Sequence, residues 1–233
     1  MKYKLTKNTK EVAGITLYQI QALKDFGDAK EGDLGGWIEK EANLSQENNC
    51  WVYGNAWVYG DAWVSGDAVV YGNAEVSGNA EVSDKAKVSG NAEVSGNAKV
   101  SGNASVSGNA WVFGDALVSG GAEVYGNAKV SGNASVYGNA KVYGDAWVSG
   151  NAKVSGNAWV YGDAWNKTPL HIHGTKHCLT NSKYGHITIG CKTETIDWWL
   201  SEEAERFAKD NGYSYGDICE YKEYILLIKR VGF

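Results

Sequence analysis

The feature that most constrains the fold is a six-residue phrase that repeats nineteen times between residues 51 and 164. Its consensus is x-Val-(Ser/Tyr)-Gly-(Asn/Asp)-Ala, and valine recurs at every sixth position from Val52 to Val160 without an insertion or deletion. So strict a period is typical of a solenoid. Each valine shares one strand face with the alanine two residues before it, and Gly-Asn or Gly-Asp supplies a turn. Because a lone hexapeptide cannot bury its valine, we predict stacked coils.

The tyrosines indicate how many hexapeptides make one coil. Tyrosine follows the valine at seven positions. Three hexapeptides per coil place five of these tyrosines on one face, whereas two per coil divide the seven into four and three. We therefore predict an all-β solenoid, a single-stranded β-helix with 18 residues per coil. The tyrosines that share the face are Tyr53, Tyr71, Tyr125, Tyr143 and Tyr161.

Both ends of the repeat region differ in pattern from the coils. We interpret residues 1–36 as an N-terminal β cap, because ITLYQIQAL (15–23) alternates as a strand does before a turn-rich stretch. Residues 37–165 form the predicted β-helix, in which a two-residue insertion places Cys50 at an alanine position. The phase is expected to break at Asn166, and Pro169 cannot donate to a strand ladder.

The last segment, residues 166–233, is predicted to be a small α+β unit docked on the last coil. HITIG (186–190) has the alternation of a strand, and residues 193–212 carry an apolar helical stripe that ends at Asn211-Gly212. Ser214 and Asp217 form a predicted capping box for a second helix. The unit therefore combines a strand or hairpin with two helices.

Composition and charge exclude several functional classes. The net charge is −5, and the coils carry more acidic than basic residues, which disfavours a nucleic-acid binder. No stretch of eighteen apolar residues occurs, so we predict no membrane association. The four cysteines are widely spaced, as free thiols of a reducing compartment are. We expect a protein of the bacterial host cytoplasm.

The coils lack the residues that catalysis needs. Residues 51–164 contain no His, Cys, Thr, Arg, Ile or Pro and no looped-out insertion. Acyltransferases with hexapeptide β-helices use a histidine as general base, commonly near such a loop. An acyltransferase is therefore disfavoured, and we predict a protein that is not an enzyme.

All four histidines lie in the C-terminal unit, and HIHGTKHC (171–178) places three of them near a cysteine. Imidazole and thiolate together suit zinc. The spacing matches no standard site, however, and the first two histidines alternate with Leu170 and Ile172 as the solvent face of a strand would. We therefore predict no cofactor and no metal. The candidate ligands, if a metal binds, are His171, His173, His177 and Cys178.

Aromatic residues at the outward position before each valine are the candidate binding surface. With three hexapeptides per coil, one face carries Trp57, Glu75, Glu93, Trp111, Lys129, Trp147 and Trp165. Tryptophans near both ends of the solenoid have an alternative role, packing under the caps: under the N-terminal cap Trp51, Trp57 and Trp63, and under the C-terminal unit Trp147, Trp159 and Trp165. Trp111 and Phe113 lie in the middle, where neither cap is expected to reach, and exposed aromatic clusters are typical of recognition surfaces. The candidate binding residues are Trp57, Trp111, Phe113, Trp147 and the five tyrosines of the shared face.

The repeat resembles that of hexapeptide-repeat β-helices, whose usual hand is left. The family pattern is small-x-aliphatic-Gly-x-x, whereas glycine falls one place later here, so a right-handed, bactofilin-like helix is the alternative. The segment LKDFGDAKEGDLGGWIEKEANLSQENNCWVYGNA (23–56), with its GGW, LSQ and WVYGNA phrases, resembles the N-terminal region of hexapeptide-repeat proteins of phages, prophages and bacteria. The tail phrases HITIGC and EYKEYILLI resemble those of prophage members.

This resemblance implies a phage or prophage gene but carries no activity. We expect a non-enzymatic β-helix that binds a protein or small-molecule partner in the host cell, in a counter-defence role. The alternative is a rigid spacer or fibre component of a virion. The aromatic faces also suit a homo-oligomer, either a dimer or a trimer.

Overall fold

The repeat region folds as the parallel β-solenoid that its period predicts. The computed structural model describes residues 1–12, 14–162, 164–165 and 167–231. Strands one coil apart pair in parallel with partners 18 residues apart, for example Lys87 with Ser105 and Val88 with Val106. The predicted coil of three hexapeptides is therefore confirmed. Whether the helix is left-handed stays a prediction.

The coil strands are two or three residues long. They are β4 (Trp51–Val52), β5 (Trp57–Val58), β6 (Trp63–Val64), β7 (Val69–Val70), β8 (Glu75–Val76), β9 (Glu81–Val82), β10 (Lys87–Val88), β11 (Glu93–Val94), β12 (Lys99–Val100), β13 (Ser105–Val106), β14 (Trp111–Val112), β15 (Leu117–Val118), β16 (Glu123–Val124), β17 (Lys129–Val130), β18 (Ser135–Val136), β19 (Lys141–Tyr143), β20 (Trp147–Val148), β21 (Lys153–Val154), β22 (Trp159–Tyr161) and β23 (Ala164–Trp165).

The N-terminal cap extends one of the three solenoid sheets. Strands β1 (Tyr3–Val12) and β2 (Ile15–Ala22) form an antiparallel hairpin, and β3 (Leu34–Ile38) pairs antiparallel with β2 and parallel with β5. The ten-stranded sheet runs β1-β2-β3-β5-β8-β11-β14-β17-β20-β23. The seven-stranded sheet runs β22-β19-β16-β13-β10-β7-β4, and the six-stranded sheet runs β21-β18-β15-β12-β9-β6.

Inward valines and alanines form the core of the solenoid. Every repeat valine from Val52 to Val160 is fully buried, and the repeat alanines from Ala56 to Ala158 are at most 1% exposed. Ile38 pairs with Val58, twenty residues on, because a short 3₁₀ turn (Glu41–Asn43) and the SQENN stretch add two residues to the first coil. Cys50 consequently occupies an alanine position and is buried, as predicted.

Corner residues connect successive coils. Along one corner the Asn55, Asn73 and Asn91 side chains each donate an amide hydrogen to the residue one coil on, at 3.0–3.3 Å. The same ladder continues through Asn109 and Asn127. The repeated asparagine therefore supplies hydrogen bonds along the solenoid axis in addition to its role in the turn.

The C-terminal unit is an antiparallel sheet covered by helices. The strands β24 (His171–His173), β25 (Cys178–Lys183), β26 (His186–Ile189) and β27 (Lys192–Thr195) are hydrogen-bonded in chain order, and the helices are α1 (Ile196–Trp199), α2 (Glu202–Asp210) and α3 (Tyr215–Val231). The predicted single helix across residues 193–212 is wrong, because the Ser201 hydroxyl accepts a hydrogen bond from the Ala204 N–H and starts a new helix. The predicted capping box is confirmed: the Ser214 N–H donates to Asp217, and the Asp217 N–H donates to Ser214.

The end of the solenoid differs by one residue from the predicted phase. Trp147 pairs with Ala164 and Val148 with Trp165, so the register loses one residue before the expected break at Asn166. Trp165 therefore takes a valine position in the core instead of the outward position predicted for it. Asn166 itself lies outside the described residues.

Among the described residues, no helix has the length and apolar character needed to cross a membrane.

Candidate functional site

The C-terminal half of the ten-stranded sheet carries a row of exposed aromatic rings around a lysine. Trp111, Lys129 and Trp147 occupy equivalent outward positions of β14, β17 and β20, because the valine after each of them points into the core. Trp111 is 44% exposed and Trp147 is 46% exposed. We call Trp111, Phe113, Lys129 and Trp147 the tryptophan face.

Local contacts hold the rings of the tryptophan face in place. The Lys129 Nζ lies 5.0 Å from the centroid of the Trp111 ring, within the range of a cation–π interaction. Phe113 packs edge-on against Trp111 with 6.5 Å between ring centroids. The Trp147 indole N–H donates to the Ser131 hydroxyl at 2.8 Å. The face thus presents two oriented indole rings and a cation on a rigid sheet.

Lys129 differs from the outward lysines Lys99 and Lys141, but not from Lys87 and Lys153, in forming no ion pair among the described residues. Lys99 and Lys141 form ion pairs with the glutamates one coil before them, Glu81 and Glu123, at 3.1 and 3.2 Å. Lys129 forms no ion pair with any described residue. Its neighbours along the sheet are two tryptophans, so its charge is available to a binding partner.

The predicted tyrosine face divides into two parts. Tyr125, Tyr143 and Tyr161 stack with ring centroids 5.2 and 5.3 Å apart, and burial together with the neighbouring tyrosines raises the pKa of Tyr143. Tyr53 packs edge-on against Trp51, and Tyr71 is exposed. Serines separate the two parts, since Ser89 and Ser107 occupy the equivalent positions of the intervening coils. A continuous tyrosine ladder exists only near the C-terminal end.

The caps cover fewer tryptophans than the cap-packing alternative predicts. Trp51 is buried beneath Tyr3 and Phe26, whose ring centroids lie 6.0 and 5.1 Å away. Trp57 is half-buried, with the Lys10 Nζ 4.2 Å above its ring. Trp63 is 46% exposed, although the alternative places it under the N-terminal cap.

At the other end of the solenoid the alternative is also partly wrong. Trp147 and Trp159 both remain more than 40% exposed, whereas Trp165 is buried. The C-terminal unit docks its strand β25 against β22, as the described contacts show, and leaves those two outward rings uncovered. The exposed tryptophans therefore extend from the middle of the solenoid to its last coils.

The C-terminal unit contains a cavity that no sequence pattern predicts. It has a volume of about 160 Å³, is half open to solvent, and lies between the sheet and the helices. Its lining combines aromatic rings with charged groups, including Trp199, Phe207, Tyr213, Tyr221, Lys192 and Lys222. Burial and the nearby Tyr221 raise the pKa of Tyr213 to about 12, so this phenol stays protonated. Four elements contribute these residues, and no local sequence pattern links them.

Three of the four candidate metal ligands lie together. His171 and His173 project from β24, and Cys178 begins the neighbouring strand β25. His177 lies apart, because its ring stacks on Tyr213 and its Nδ1 lies 2.6 Å from the Tyr213 hydroxyl. His171 does not lie on an open solvent face as predicted: it is half-buried against the last coil, near Gly156. Burial and the adjacent His173 lower the pKa of His171, which favours the neutral imidazole.

The coils provide only carboxylates as candidate acids or bases. Burial and the charge of Glu75 raise the pKa of Glu93, its neighbour on the ten-stranded sheet. The Tyr59 hydroxyl donates to Glu75 at 2.5 Å. Coil residues 51–164 include no histidine or cysteine, so the side chains that hydrogen-bond to these carboxylates are hydroxyls, Tyr59 at Glu75 and Ser95 at Glu93.

Comparison with known proteins supports the repeat architecture. A family model described as the YdcK β-solenoid repeat matches residues 52–66. The chain is similar to β-solenoid repeat proteins. A curated relative from Escherichia coli (strain K12), named as an uncharacterized acetyltransferase, YdcK, is 51% identical over 39 residues. That match covers 17% of this chain and 12% of the relative, so the chain spans about an eighth of the relative's length.

Proposed function

We propose that this protein is a non-enzymatic β-solenoid that binds a host protein through the tryptophan face. The observation that carries the proposal is the pair of half-exposed tryptophans on either side of Lys129, which forms no ion pair with a described residue. Tryptophan is enriched among the few residues that contribute most of the binding energy at protein interfaces. The solenoid holds these groups on short strands with buried valines, so little conformational freedom is lost on binding.

Charge indicates what the partner presents. The ladder neighbours of Lys129 are Trp111 and Trp147, whereas Lys99 and Lys141 on the other two sheets each pair with a glutamate one coil before them. The proposed partner therefore carries a carboxylate flanked by apolar side chains, which pairs with Lys129 while the apolar groups cover Trp111 and Trp147. A phage or prophage origin and a counter-defence role fit such a binder, and both stay predictions.

Affinity capture with matched variants tests the proposal. The full chain and the variant Trp111→Ser/Trp147→Ser are immobilised and exposed to bacterial host lysate, and captured proteins are identified by mass spectrometry, re-expressed and measured by calorimetry. Trp63→Ser is the control, because Trp63 is exposed to the same extent but lies on the six-stranded sheet. We expect the double variant to weaken binding at least tenfold and Trp63→Ser to leave it unchanged. Adding Lys129→Glu to the double variant should weaken binding further, and this extra loss of affinity should be larger at low salt, where charges are less screened.

Two outcomes contradict the proposal. Equal binding by the double variant and Trp63→Ser shows that the tryptophan face is not the interface. Light scattering that gives a discrete dimer or trimer, which the double variant converts to a monomer, shows that a second copy of the chain covers the face instead. Long concentration-dependent assemblies favour the virion spacer or fibre.

An acetyltransferase activity is the second candidate, favoured by the name of the Escherichia coli relative. Calorimetric titration with acetyl-coenzyme A tests it directly. Saturable binding of one molecule per chain supports this candidate, and no heat of binding removes it.

A further inference from the structure

The histidines of β24 and the cysteine of β25 meet at one edge of the C-terminal sheet. Residues two apart on a strand point to the same side, which places His171 and His173 together with 5.0 Å between ring centroids. Antiparallel pairing places His173 opposite Cys178. The cluster therefore arises from a tight connection between two strands, and the sequence spacing His-x-His-x₄-Cys hides it.

The distances in the cluster suit a shared metal ion. One ligand atom from each of the three residues lies within 4.8 Å of the other two. The Cys178 Sγ lies 3.2 Å from the His173 Nδ1. Ligand atoms of a tetrahedral zinc ion with ordinary bond lengths are separated by about 3.3–3.6 Å. The longest separation in the cluster therefore has to shorten by at most about 1.2–1.5 Å for all three atoms to hold one ion.

The surroundings provide space beside the cluster. A cavity of about 160 Å³ lies between this sheet edge and the last coil, and its lining includes His171, Cys178 and Trp159. The Nδ1 of His171 lies 2.7 Å from the Thr180 hydroxyl, while its Nε2 is buried without a hydrogen-bond partner among the described residues. A buried ring nitrogen of this kind is costly unless a ligand or a water satisfies it.

We propose that His171, His173 and Cys178 bind one zinc-class divalent ion, with a fourth coordination position open toward this cavity. Imidazole and thiolate together select zinc and its spectroscopic substitute cobalt over magnesium and calcium, which prefer oxygen. Three protein ligands with one open position are typical of zinc sites that accept an external ligand. The ion would join β24 to β25 at the place where the C-terminal unit meets the solenoid.

Cobalt titration of the full chain, with any histidine tag removed, tests the proposal. We expect one Co²⁺ per chain, a thiolate-to-cobalt charge-transfer band in the near ultraviolet, and displacement by one equivalent of Zn²⁺. Cys178→Ser should abolish the band, and His173→Asn should weaken binding more than about tenfold, since even loss of an outer-shell partner costs that much. Cys219→Ser and His186→Asn are matched controls that remove an exposed thiol and a histidine outside the cluster.

Three results overturn the proposal. The first is the absence of a charge-transfer band with excess Co²⁺, which leaves the Cys178–His173 contact as an ordinary hydrogen bond. The second is a band that Cys178→Ser retains, and the third is an equal loss in the control variants. The circular dichroism spectrum checks the fold of each variant. Because His173 is exposed, His173→Asn keeps the test decisive even if Cys178→Ser fails to fold.

Discussion

Replacement of Gly90 by alanine should destabilise the solenoid markedly, although the change adds one methyl group. Gly90 has φ +70°, and a Cβ built there would lie 2.9 Å from the Gly108 carbonyl oxygen and 3.0 Å from its nitrogen, one coil on. Both atoms belong to the backbone, so neither can move without shifting a strand ladder. The left-handed conformation costs a non-glycine residue roughly 1–2 kcal/mol, and forcing a methyl group into tight packing adds about 1–3 kcal/mol. We expect the free energy of unfolding to fall by about 2–5 kcal/mol.

Asp84 supplies the comparison that makes this prediction sharp. It occupies a glycine position of the repeat with φ +59°, and its Oδ2 accepts a hydrogen bond of 2.9 Å from the Gly102 N–H one coil on. Aspartate is among the residues that tolerate the left-handed region. Gly90→Asp should form the equivalent bond to Gly108, and we expect it to be more stable than Gly90→Ala by about 1 kcal/mol.

Urea unfolding followed by far-ultraviolet circular dichroism and by tryptophan fluorescence measures both variants, and coincident transitions establish that one free energy describes each. A Gly90→Ala variant within about 0.5 kcal/mol of the wild type, the usual range of neutral surface changes, would refute the steric argument. A Gly90→Asp variant less stable than Gly90→Ala would refute the hydrogen-bond argument. The first result would show that the backbones of neighbouring coils can move apart more easily than the short Cβ distances at Gly90 indicate.

Three further predictions concern particular side chains. Cys50 is buried, and burial raises the pKa of its thiol, so little reactive thiolate forms there. A thiol reagent should modify the exposed Cys191 rapidly and Cys50 only at the rate of unfolding. Equal rates of modification would contradict this. The pKa of Glu93 is raised above 4.5, so its contribution to stability is present below pH 4.5 and is lost as the pH rises through the pKa of the folded state. In urea unfolding, Glu93→Gln should therefore stabilise the protein more at pH 7 than at pH 4. The same effect at both pH values would contradict this. The Tyr221 hydroxyl accepts a hydrogen bond from the His177 backbone N–H and donates one to the His177 carbonyl. Tyr221→Phe should therefore lower the free energy of unfolding by about 1–3 kcal/mol. An unchanged melting temperature would contradict this prediction.

The solenoid could be predicted in detail because one physical constraint repeats in every phrase. A valine at every sixth position can be buried only if coils of equal length stack, and that requirement fixes the register of Val88 on Val106 without any knowledge of distant contacts. The two-residue insertion before Cys50 followed from the same period. The hand of the helix does not follow from it, since either hand buries the same residues.

The cover of the terminal tryptophans could not be predicted, because it depends on where non-repeating segments pack. The N-terminal hairpin extends the edge of the ten-stranded sheet, so Tyr3 and Phe26 reach Trp51 while Trp63 stays exposed. The sequence names His171, His173, His177 and Cys178 as candidate ligands but does not show which of them converge, because three meet only through antiparallel pairing of two short strands while His177 contacts Tyr213. Contacts between non-repeating segments follow no sequence period, so a periodic pattern cannot predict them.

The outward residues of the ten-stranded sheet are poorly explained by stability alone. Glu75 and Glu93 are direct neighbours in the ladder, and like charges opposite each other destabilise a sheet, as the raised pKa of Glu93 reflects. On the other two sheets, Lys99 pairs with Glu81 and Lys141 with Glu123, at 3.1 and 3.2 Å. Trp111 and Trp147 then expose large rings beside an unpaired Lys129, at positions where the fold accepts serine or lysine equally well. Departures from local stability occur where a protein has another use for its surface, and on the ten-stranded sheet a glutamate pair and two exposed tryptophans come together, whereas each of the other two sheets exposes a single outward tryptophan, Trp63 or Trp159. This concentration, together with the exposure of its tryptophans, makes the ten-stranded sheet the surface on which binding is to be tested first.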